Sequence, residues 1–392
     1  YPISHVDEQE PWIQSNLNLD YFGENTFGYA RLYSFQTLRR NVSQNTLPIV
    51  PQFNYQYTTE PLWKGLYATT QVNAAGVYPD SDPQSTRLSV EQVFQAPYVS
   101  DIGFVVDSCA AFRIDGYTIE TSENRTVNTT RLYPNMSVKV RYPLMQSGKS
   151  YTQILEPIVM GVWAPNSKNK EVIPNEDSAD FELDDVNLFS PNRYAGYDRV
   201  EKGTRINYGI QWAVFGNKGL SLSTLVGQSY RLKRDDTLSE NSGLSDNFSS
   251  YVGRVRLTYK DVALSYRFRL SNDNLSQEMT ELRLSAGRRP FSMSLSYLNL
   301  KEHHQGTGAL QEREEVTIGA RSQLTQNWSV GGMYRYNMVK NGGPLETTAY
   351  IQYENECMAI AFSGEKDYTE DKDYKGDTSF FVRLYLKTLG GV

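Results

Sequence analysis

Residues 251–270 read YVGRVRLTYKDVALSYRFRL, and this stretch decides the fold. Apolar and polar residues alternate on both sides of its midpoint, with Leu257 and Phe268 in one set and Arg254 and Arg267 in the other. Successive side chains of a β-strand point to opposite faces, so the pattern needs one apolar and one polar environment. The stretch therefore predicts two antiparallel strands joined by a tight turn.

Similar segments recur along the chain and predict about nineteen strands, most of roughly the ~9–11 residues that a membrane-spanning strand needs. They lie at approximately 12–21, 26–37, 49–58, 63–76, 86–95, 102–114, 133–142, 150–162, 204–215, 220–232, 251–260, 262–270, 280–287, 291–299, 315–324, 328–338, 346–354, 357–366 and 379–389. Because proline removes a donor from the ladder of strand hydrogen bonds, we expect the third strand to begin late, at Gln52, after Pro51.

The connections between these segments alternate between short turns and long polar links. Outer-membrane barrels have this arrangement, with short periplasmic turns and longer external loops. We therefore predict an all-β fold, an antiparallel transmembrane β-barrel of which this chain forms a part. A last strand that ends in the periplasm would place the loop 164–203 outside and Glu354-Asn355-Glu356 inside. A β-sandwich or a propeller would also supply many strands, but neither predicts this alternation.

Composition excludes several classes of protein. The 392 residues contain no Ser/Gly-rich linker and no apolar run near the ~20 residues of a membrane-spanning helix. The net charge of −6 argues against nucleic acid as a partner. The 28 tyrosines suit a surface that is apolar on one side and wet at its rim.

The segment 174–204 is long, acidic at its start and not periodic, which is typical of a functional loop. The candidate residues in it are Pro174, Asn175, Glu176, Asp177, Ser178, Asp184, Asp185, Asn192, Arg193, Asp198 and Arg199. The adjacent acidic pairs, Glu176-Asp177 and Asp184-Asp185, are suited to cap the loop, or to act as ligands for a divalent ion that bridges anionic lipids. We expect the loop to fold over or into the lumen, and substitution of Asn192 or Arg193 to weaken assembly or plug binding.

Arginines recur on the polar face of the predicted strands. The main candidates are Arg254, Arg256, Arg267, Arg269 and Arg283. They could favour a phosphate-bearing anion or an acidic plug, since guanidinium groups bind both. Alternatively, they could simply fill a polar interior. His303-His304 lies in a predicted external loop, where adjacent histidines on an extended chain point apart and do not form a metal site.

Several motifs resemble the LPS-assembly protein LptD (organic solvent tolerance) family. They are Gln153-Ile154-Leu155-Glu156-Pro157, Ile173-Pro174-Asn175-Glu176-Asp177-Ser178, Phe181-Glu182-Leu183-Asp184-Asp185, Asn187-Leu188-Phe189, Asn192-Arg193-Tyr194, Gly196-Tyr197-Asp198-Arg199-Val200, Tyr353-Glu354-Asn355-Glu356-Cys357 and Leu386-Lys387-Thr388-Leu389-Gly390. They cover the chain from about 150 to its end, and the first third agrees only in texture.

The resemblance implies a large outer-membrane barrel with an N-terminal periplasmic jelly-roll. Residues 1–392 would then be the C-terminal portion of the barrel, without the jelly-roll and the first strands. Family members receive lipopolysaccharide from a periplasmic bridge protein, LptA-like, and release it through a lateral gate between the first and last strands. An LptE-like lipoprotein plugs the lumen. The gate strand would be 379–389, with Phe381, Arg383, Tyr385 and Lys387 on its polar side.

Cysteine usage is sparse, with Cys109 and Cys357 only. The resemblance places Cys357 where the family has a C-terminal cysteine that bonds one nearer the N-terminus. Cys109 falls at mid-strand and Cys357 at a strand end, whereas a disulfide needs Cα atoms within about 7 Å. We therefore expect both thiols to be unpaired in this chain.

The resulting hypothesis is a translocon component in the Gram-negative outer membrane, without catalytic residues, metal or cofactor. Its partners would be lipopolysaccharide, outer-membrane lipid, the plug and the bridge protein, and not nucleic acid. A passive channel of porin or receptor type is the alternative. An enzyme acting on lipid would need a nucleophile–base pair at the barrel rim, and no sequence motif marks one.

Overall fold

The computed structural model describes residues 12–37, 49–78, 84–120, 125–166, 169–178, 181–235, 237–238, 242–301, 303–305, 308–310, 312–369 and 376–387. The strands are β1 Trp12–Phe22, β2 Thr26–Thr37, β3 Ile49–Thr58, β4 Tyr67–Val77, β5 Gln84–Val99, β6 Val105–Glu120, β7 Thr126–Arg141, β8 Leu144–Ser147, β9 Tyr151–Trp163, β10 Arg205–Gly216, β11 Leu220–Arg231, β12 Tyr251–Tyr259, β13 Val262–Leu270, β14 Gln277–Arg288, β15 Phe291–Leu300, β16 His303–Gln305, β17 Gly308–Leu310, β18 Arg313–Gln323, β19 Trp328–Asn337, β20 Pro344–Glu354, β21 Met358–Asp367 and β22 Thr378–Leu386.

The all-β antiparallel prediction is confirmed, and only β8, β16 and β17 have no counterpart among the predicted strands. In the part of the chain that the structure describes, no helix has the length and apolarity needed to cross a membrane. The chain divides into two compact units. The first unit takes its residues from Tyr1–Arg141, Met160–Phe181 and Ser190–Ile206, and the second from Tyr142–Val159, Glu182–Phe189 and Asn207–Val392.

The first unit is a meander in which each strand from β1 to β7 pairs with the next. The strands β5, β6 and β7 have 16 residues each, well beyond the predicted lengths. Asp115-Gly116 is a common turn signal, yet β6 continues through it. The reason is that Asp115 stands opposite Arg131 of β7 and forms an ion pair with it.

In the second unit β11 to β15 pair in sequence order, and so do β18 to β22, with β15 paired to β18. The short β16 and β17 pair with each other, in the link between β15 and β18. Tight connections such as Lys260-Asp261 and Arg289-Pro290 alternate with longer ones. The predicted alternation of short and long connections is therefore present in this unit.

The register of 251–270 agrees with its sequence pattern. Arg254 pairs with Arg267, and Leu257 pairs with Leu264, so each pair shares one face of the sheet. Phe268 falls on the face of Leu257, opposite to that of Arg267. We use "polar face" in the second unit for the side that carries Arg254 and Arg267, and in the first unit for the side that carries Arg87 and Arg131.

Besides the long strands β5 to β7, strand ends differ from the prediction at three further places. The segment 63–76 begins with a 3-10 turn at Trp63–Gly65, and the strand starts only at Tyr67. The strand β3 runs over Ile49–Thr58, which agrees with the predicted segment 49–58, and the later start expected at Gln52 was wrong. Over residues 49–51 β3 pairs only with β2 in the described residues, and an edge position tolerates Pro51. The last strand ends at Leu386, before Lys387, and residues 388–392 lie outside the described part.

Candidate functional site

In the first unit, charged side chains of β6 and β7 lie on the face covered by the loop. Arg131 Nε donates to Asp115 Oδ2 at 2.8 Å, and Arg113 Nε lies 3.3 Å from Asp115 Oδ1. Asp115 is fully buried. A buried carboxylate needs compensating charge, and the two guanidinium groups supply it.

These arginines hold the loop by its backbone. Arg113 Nη2 donates to the carbonyl oxygen of Tyr197 at 3.0 Å, and Arg131 Nη2 donates to the same oxygen. Arg131 Nη1 donates to the carbonyl oxygen of Asp198 at 2.6 Å. The hydroxyl of Tyr117 donates to the Asp198 carboxylate at 3.2 Å. Charged donors therefore satisfy loop carbonyls that would otherwise need water.

Arg87 of β5 joins two loop carboxylates. Its Nη1 lies 2.7 Å from Asp177 Oδ2 and 2.6 Å from Asp198 Oδ1. The two aspartates also hold each other's backbone. Asp177 Oδ1 accepts from the N–H groups of Tyr197 and Asp198, both at 3.0 Å. Asp198 Oδ2 accepts from the N–H groups of Glu176 at 2.8 Å and Asp177 at 3.1 Å. The two ends of the loop are thus locked together.

The two aspartates have pKa values displaced in opposite directions. Burial alone raises the pKa of Asp177, but Arg87 and the N–H groups of Tyr197 and Asp198 outweigh burial and hold that pKa below its usual value. Burial and the charge of Asp177 raise the pKa of Asp198, against the attraction of Arg87. As the pH falls, Asp198 therefore takes up a proton before Asp177 does.

The side chain of Tyr197 is a further anchor. Its ring lies under the guanidinium of Arg87 at 4.8 Å and that of Arg113 at 5.4 Å. Gln71 Nε2 donates to its hydroxyl at 2.7 Å. Burial raises the pKa of Tyr197 to about 12, so the ring stays a neutral phenol. Neutral rings stack on guanidinium groups without competing for their charge.

Gly196 makes this close docking possible. Its φ is +71°, and a Cβ added there would lie 2.4 Å from the carbonyl oxygen of Asp177. Any other residue would combine a left-handed backbone with a steric clash.

A second buried cluster stabilises the end of the loop. Arg193 Nη1 lies 2.8 Å from Glu201 Oε1, and Arg205 Nη2 lies 3.2 Å from Glu201 Oε2, with all three side chains fully buried. Asn192 Oδ1 accepts from the N–H of Glu201 at 3.1 Å. Tyr133 donates to the Glu201 carbonyl at 2.7 Å. Asn192 and Arg193 therefore shape the loop internally, while Tyr133 attaches it to β7.

In the second unit, residues Glu182–Phe189 lie on the polar face of β12 and β13. Arg267 Nε donates to Asp185 Oδ1 at 2.6 Å, and Arg254 Nη1 lies 3.2 Å from Asp185 Oδ2. Arg267 Nη2 donates to Asp184 Oδ2 at 2.7 Å. Two arginines that face each other across a strand pair would repel, and Asp185 between them removes that repulsion.

The same segment caps itself and packs. Asp184 Oδ1 accepts from the N–H groups of Val186 and Asn187, as a loop cap does. Arg269 Nη1 pairs with Glu182 Oε2 at 2.7 Å. Leu188 is fully buried. Charge and apolar burial therefore both attach this segment to its unit.

Not all the predicted site residues come together. Arg256 and Arg283 are exposed, and Arg283 pairs with Glu281 of its own strand. Lys387 lies beyond β22 and donates to Glu354 Oε1 at 2.8 Å, so it belongs with the turn between β20 and β21 and not with the gate strand. In the described contacts Asn175 caps Ser178, Arg199 contributes its backbone N–H to Ser178 Oγ, and Pro174 makes no polar contact.

The predicted gate strand shows side chains that alternate in exposure. Phe381, Arg383 and Tyr385 are half-buried, whereas Phe380 and Val382 are strongly exposed. The strand β22 pairs with β21 from Thr378 to Leu386.

The strand residues that form ion pairs in the first unit were not predicted from the sequence. Arg87, Arg113, Asp115 and Arg131 were not singled out, although each lies in an alternating run. In 111–119 every second residue is buried, and that periodicity was the available signal.

The divalent-ion alternative finds no support in the described part of the chain, where no group of three or more His, Cys, Asp or Glu side chains is placed so that it could hold a metal ion. The acidic pairs bind arginine instead. His303 and His304 lie in β16, and their side chains lie outside the described part. Cys109 and Cys357 are free thiols, as predicted.

Comparison with known proteins matches residues 8–328 to the family LptD, LPS transport system D. The LPS-assembly protein LptD of Acinetobacter baumannii is 26% identical over 92% of this chain and 46% of its own length. That of Legionella pneumophila is 22% identical over 100% of this chain and 51% of its own. The chain thus spans about half the length of these relatives. Among solved structures, a ferric enterobactin receptor of Pseudomonas aeruginosa covers 95% of the chain and 69% of its own, at 8% identity and a TM-score of 0.46.

Proposed function

Because the chain belongs to the LptD family of LPS transport system D proteins, we propose that it forms part of the translocon that inserts lipopolysaccharide into the outer leaflet. Its place is the Gram-negative outer membrane, and its fold class is the antiparallel outer-membrane β-barrel. The observation that carries the proposal is the match of the family over 8–328, which includes the loop and most of the strands. We take residues 1–392 as the C-terminal portion of the barrel.

The mechanism is partition between a polar interior and lipid. Sugars and phosphates of the substrate stay on the polar face, which bears Arg254 and Arg267 in the second unit. Acyl tails stay with lipid, the solvent that suits exposed side chains such as Phe380 and Val382. The edge of β22 that does not face β21 is the gate through which the substrate leaves.

The loop 164–203 acts as a fixed strap in this scheme. Its support is the buried ion pairs made by Arg87 and Arg193, together with the hydrogen bond from Arg131 to the carbonyl oxygen of Asp198. Buried charges that lose a partner become costly, so the strap resists displacement by substrate. A loop held in one position leaves the polar face accessible, because it does not move across that face.

The partners in the proposal are an LptE-like lipoprotein plug and an LptA-like periplasmic bridge protein. The protein transports and assembles, and we propose no catalytic step. A passive porin or receptor-type channel is not favoured, since the relatives carry the name LPS-assembly protein.

Depletion of the complete protein in its source cell tests the proposal. We expect newly made lipopolysaccharide to be lost from the cell surface, as measured by surface labelling, and vancomycin resistance to fall. Conductance through the purified protein without a lipoprotein partner, with unchanged surface lipopolysaccharide after depletion, would instead indicate a passive channel.

A further inference from the structure

A cavity of about 480 Å³ lies on the polar face of the first unit, between strands and loop. Its floor comes from β1 to β3. Tyr33 and Phe35 are two residues apart in β2, so both point to one face. Gln14 stands opposite Phe35 in register, and Val50 opposite Tyr33, with Gln52 next on the same face of β3. The volume falls within the roughly 300–1,000 Å³ of small-molecule sites.

The two aromatic rings form a platform. The ring centres of Tyr33 and Phe35 are 6.4 Å apart, and the ring planes differ by 20°. The rings thus lie side by side and nearly parallel. A pyranose ring has an apolar face of C–H groups and a rim of hydroxyls. Such a platform offers apolar contact to the C–H face.

Polar groups surround the platform. Gln14 and Gln52 offer both donors and acceptors. Arg87 lines the opposite wall, with only 8% of its side chain exposed. Its Nε has no hydrogen-bond partner among the described residues. That nitrogen is itself shielded from solvent, so Arg87 contributes to the wall a positive charge that Asp177 and Asp198 already hold.

The charge of the cavity excludes phosphate. Glu176, Asp177 and Asp198 line it, against the single guanidinium of Arg87. Beyond the lining residues this face carries neutral amides, with Asn54 opposite Asn73 and Gln71 bonded to Asn54. It also carries Arg31, which stands opposite Gln52 and pairs with Asp20. A phosphate would meet more negative than positive charge, whereas a neutral hydroxyl donates readily to carboxylates.

We propose that this cavity binds a neutral, phosphate-free saccharide unit of the transported glycolipid. The assignment rests on the proposed function and adds a division of labour to it. The aromatic rings and amides of the first unit take neutral sugars. The polar face of the second unit (the arginine face), where Arg256 stays exposed, takes the phosphate-bearing part.

Site-specific photocrosslinking in cells tests this assignment. A photoreactive residue replaces Phe35 in the complete protein, and Leu32, on the opposite face of the same strand, is the matched control. A third position, Arg254, reports on the arginine face. Each variant is expressed in cells with full-length lipopolysaccharide and in cells whose lipopolysaccharide is truncated to its phosphate-bearing inner part.

We expect crosslinks to lipopolysaccharide from position 35 in full-length cells, at least a tenfold loss in truncated cells, and none from position 32. Crosslinks from position 254 should persist in both. Equal crosslinking from position 35 in both cells, or crosslinks from 254 alone, would overturn the saccharide site and leave the proposed function intact. Absence of lipopolysaccharide from both 35 and 254 in both cells would contradict the proposed function itself.

A second measurement covers variants that fold poorly. Phe35→Ala and Gln52→Ala should slow surface delivery of full-length lipopolysaccharide severalfold and leave delivery of the truncated form unchanged. Phe53→Ala, on the other face of β3, should affect neither. An equal defect for both forms of lipopolysaccharide would show that the residues are merely structural and would refute the site.

Discussion

At the residue scale, single side chains decide whether the loop stays attached. Arg131 is the most heavily used of them. It pairs with buried Asp115 and donates to the carbonyls of Tyr197 and Asp198. One alanine would therefore remove a charge partner of Asp115, a donor to the Asp198 carbonyl and one of the donors to the Tyr197 carbonyl together.

We expect Arg131→Ala to lower the free energy of unfolding by about 3–5 kcal/mol, because it leaves Asp115 buried with only Arg113 near it. Denaturant unfolding of the purified protein in detergent measures this. The control is Arg141→Ala, since Arg141 is half-buried and meets Asp107 at 3.4 Å. Equal effects of the two variants would contradict the importance given to burial.

Gly196→Ala tests the close docking of the loop. The left-handed conformation costs about 1–2 kcal/mol for any L-residue. The control is Gly219→Ala, with φ +81° and no atom within 4 Å of the added Cβ. We expect proteolysis of the segment 174–200 to rise sharply only in the Gly196 variant, because only there does the Cβ collide with Asp177. Identical proteolysis in both variants would mean that backbone strain alone acts.

The opposed pKa values of Asp177 and Asp198 predict a pH dependence. The raised pKa of Asp198 means that the folded protein binds more protons just above the usual aspartate pKa of about 3.9. Stability from this group therefore rises as pH falls towards that value. The lowered pKa of Asp177 acts oppositely, and its contribution is lost as pH falls further.

The measurement is the free energy of unfolding as a function of pH, for the wild-type protein and for the Asp177→Asn variant. In the wild type we expect the free energy of unfolding to rise as the pH falls towards ~4. This rise should be smaller in the variant, because the charge of Asp177 is one cause of the raised pKa of Asp198. If the Asp177→Asn variant showed the same rise in stability as the wild type, coupling between the two carboxyl groups would be excluded.

At the scale of elements, β12 and β13 depend on the segment Glu182–Phe189 for charge balance. Arg254 and Arg267 face each other, with Asp185 between them. Removing the carboxylate should free the segment and set like charges against each other.

Asp185→Ala should increase protease cleavage within the segment 182–189, and the further change Arg254→Ala should partly restore protection. A double-mutant cycle gives the interaction free energy, expected at about 0.5–3 kcal/mol. Strictly additive effects would mean that Asp185 and Arg254 act independently. Arg283→Ala is the matched exposed control.

At the scale of the whole molecule, attachment of the loop and transport should vary together. We expect Arg267→Ala to lower vancomycin and detergent resistance severalfold, because it removes contacts to both Asp184 and Asp185. Arg283→Ala, which loses only an exposed pair on its own strand, should leave resistance normal. Normal resistance with a demonstrably released loop would separate the loop from transport.

The sequence by itself determined the strands, their faces and the family. Alternation is local, and a period of two specifies both an element and its two environments. The pairing of Arg254 with Arg267 and of Leu257 with Leu264 follows from the pattern and the tight turn between the strands. Most boundaries therefore agree within a few residues, except where polar residues such as Asp115 continue a strand.

Only the tertiary structure decided which charges meet. Asp198 and Arg87 are 111 residues apart, as are other partners at long range, and no local period reports such a pairing. It also decided that Arg193 is buried with Glu201 while Arg283 is exposed. The physical reason is that ion pairing depends on distance and dielectric in three dimensions, whereas the sequence pattern specifies only the face on which a side chain lies.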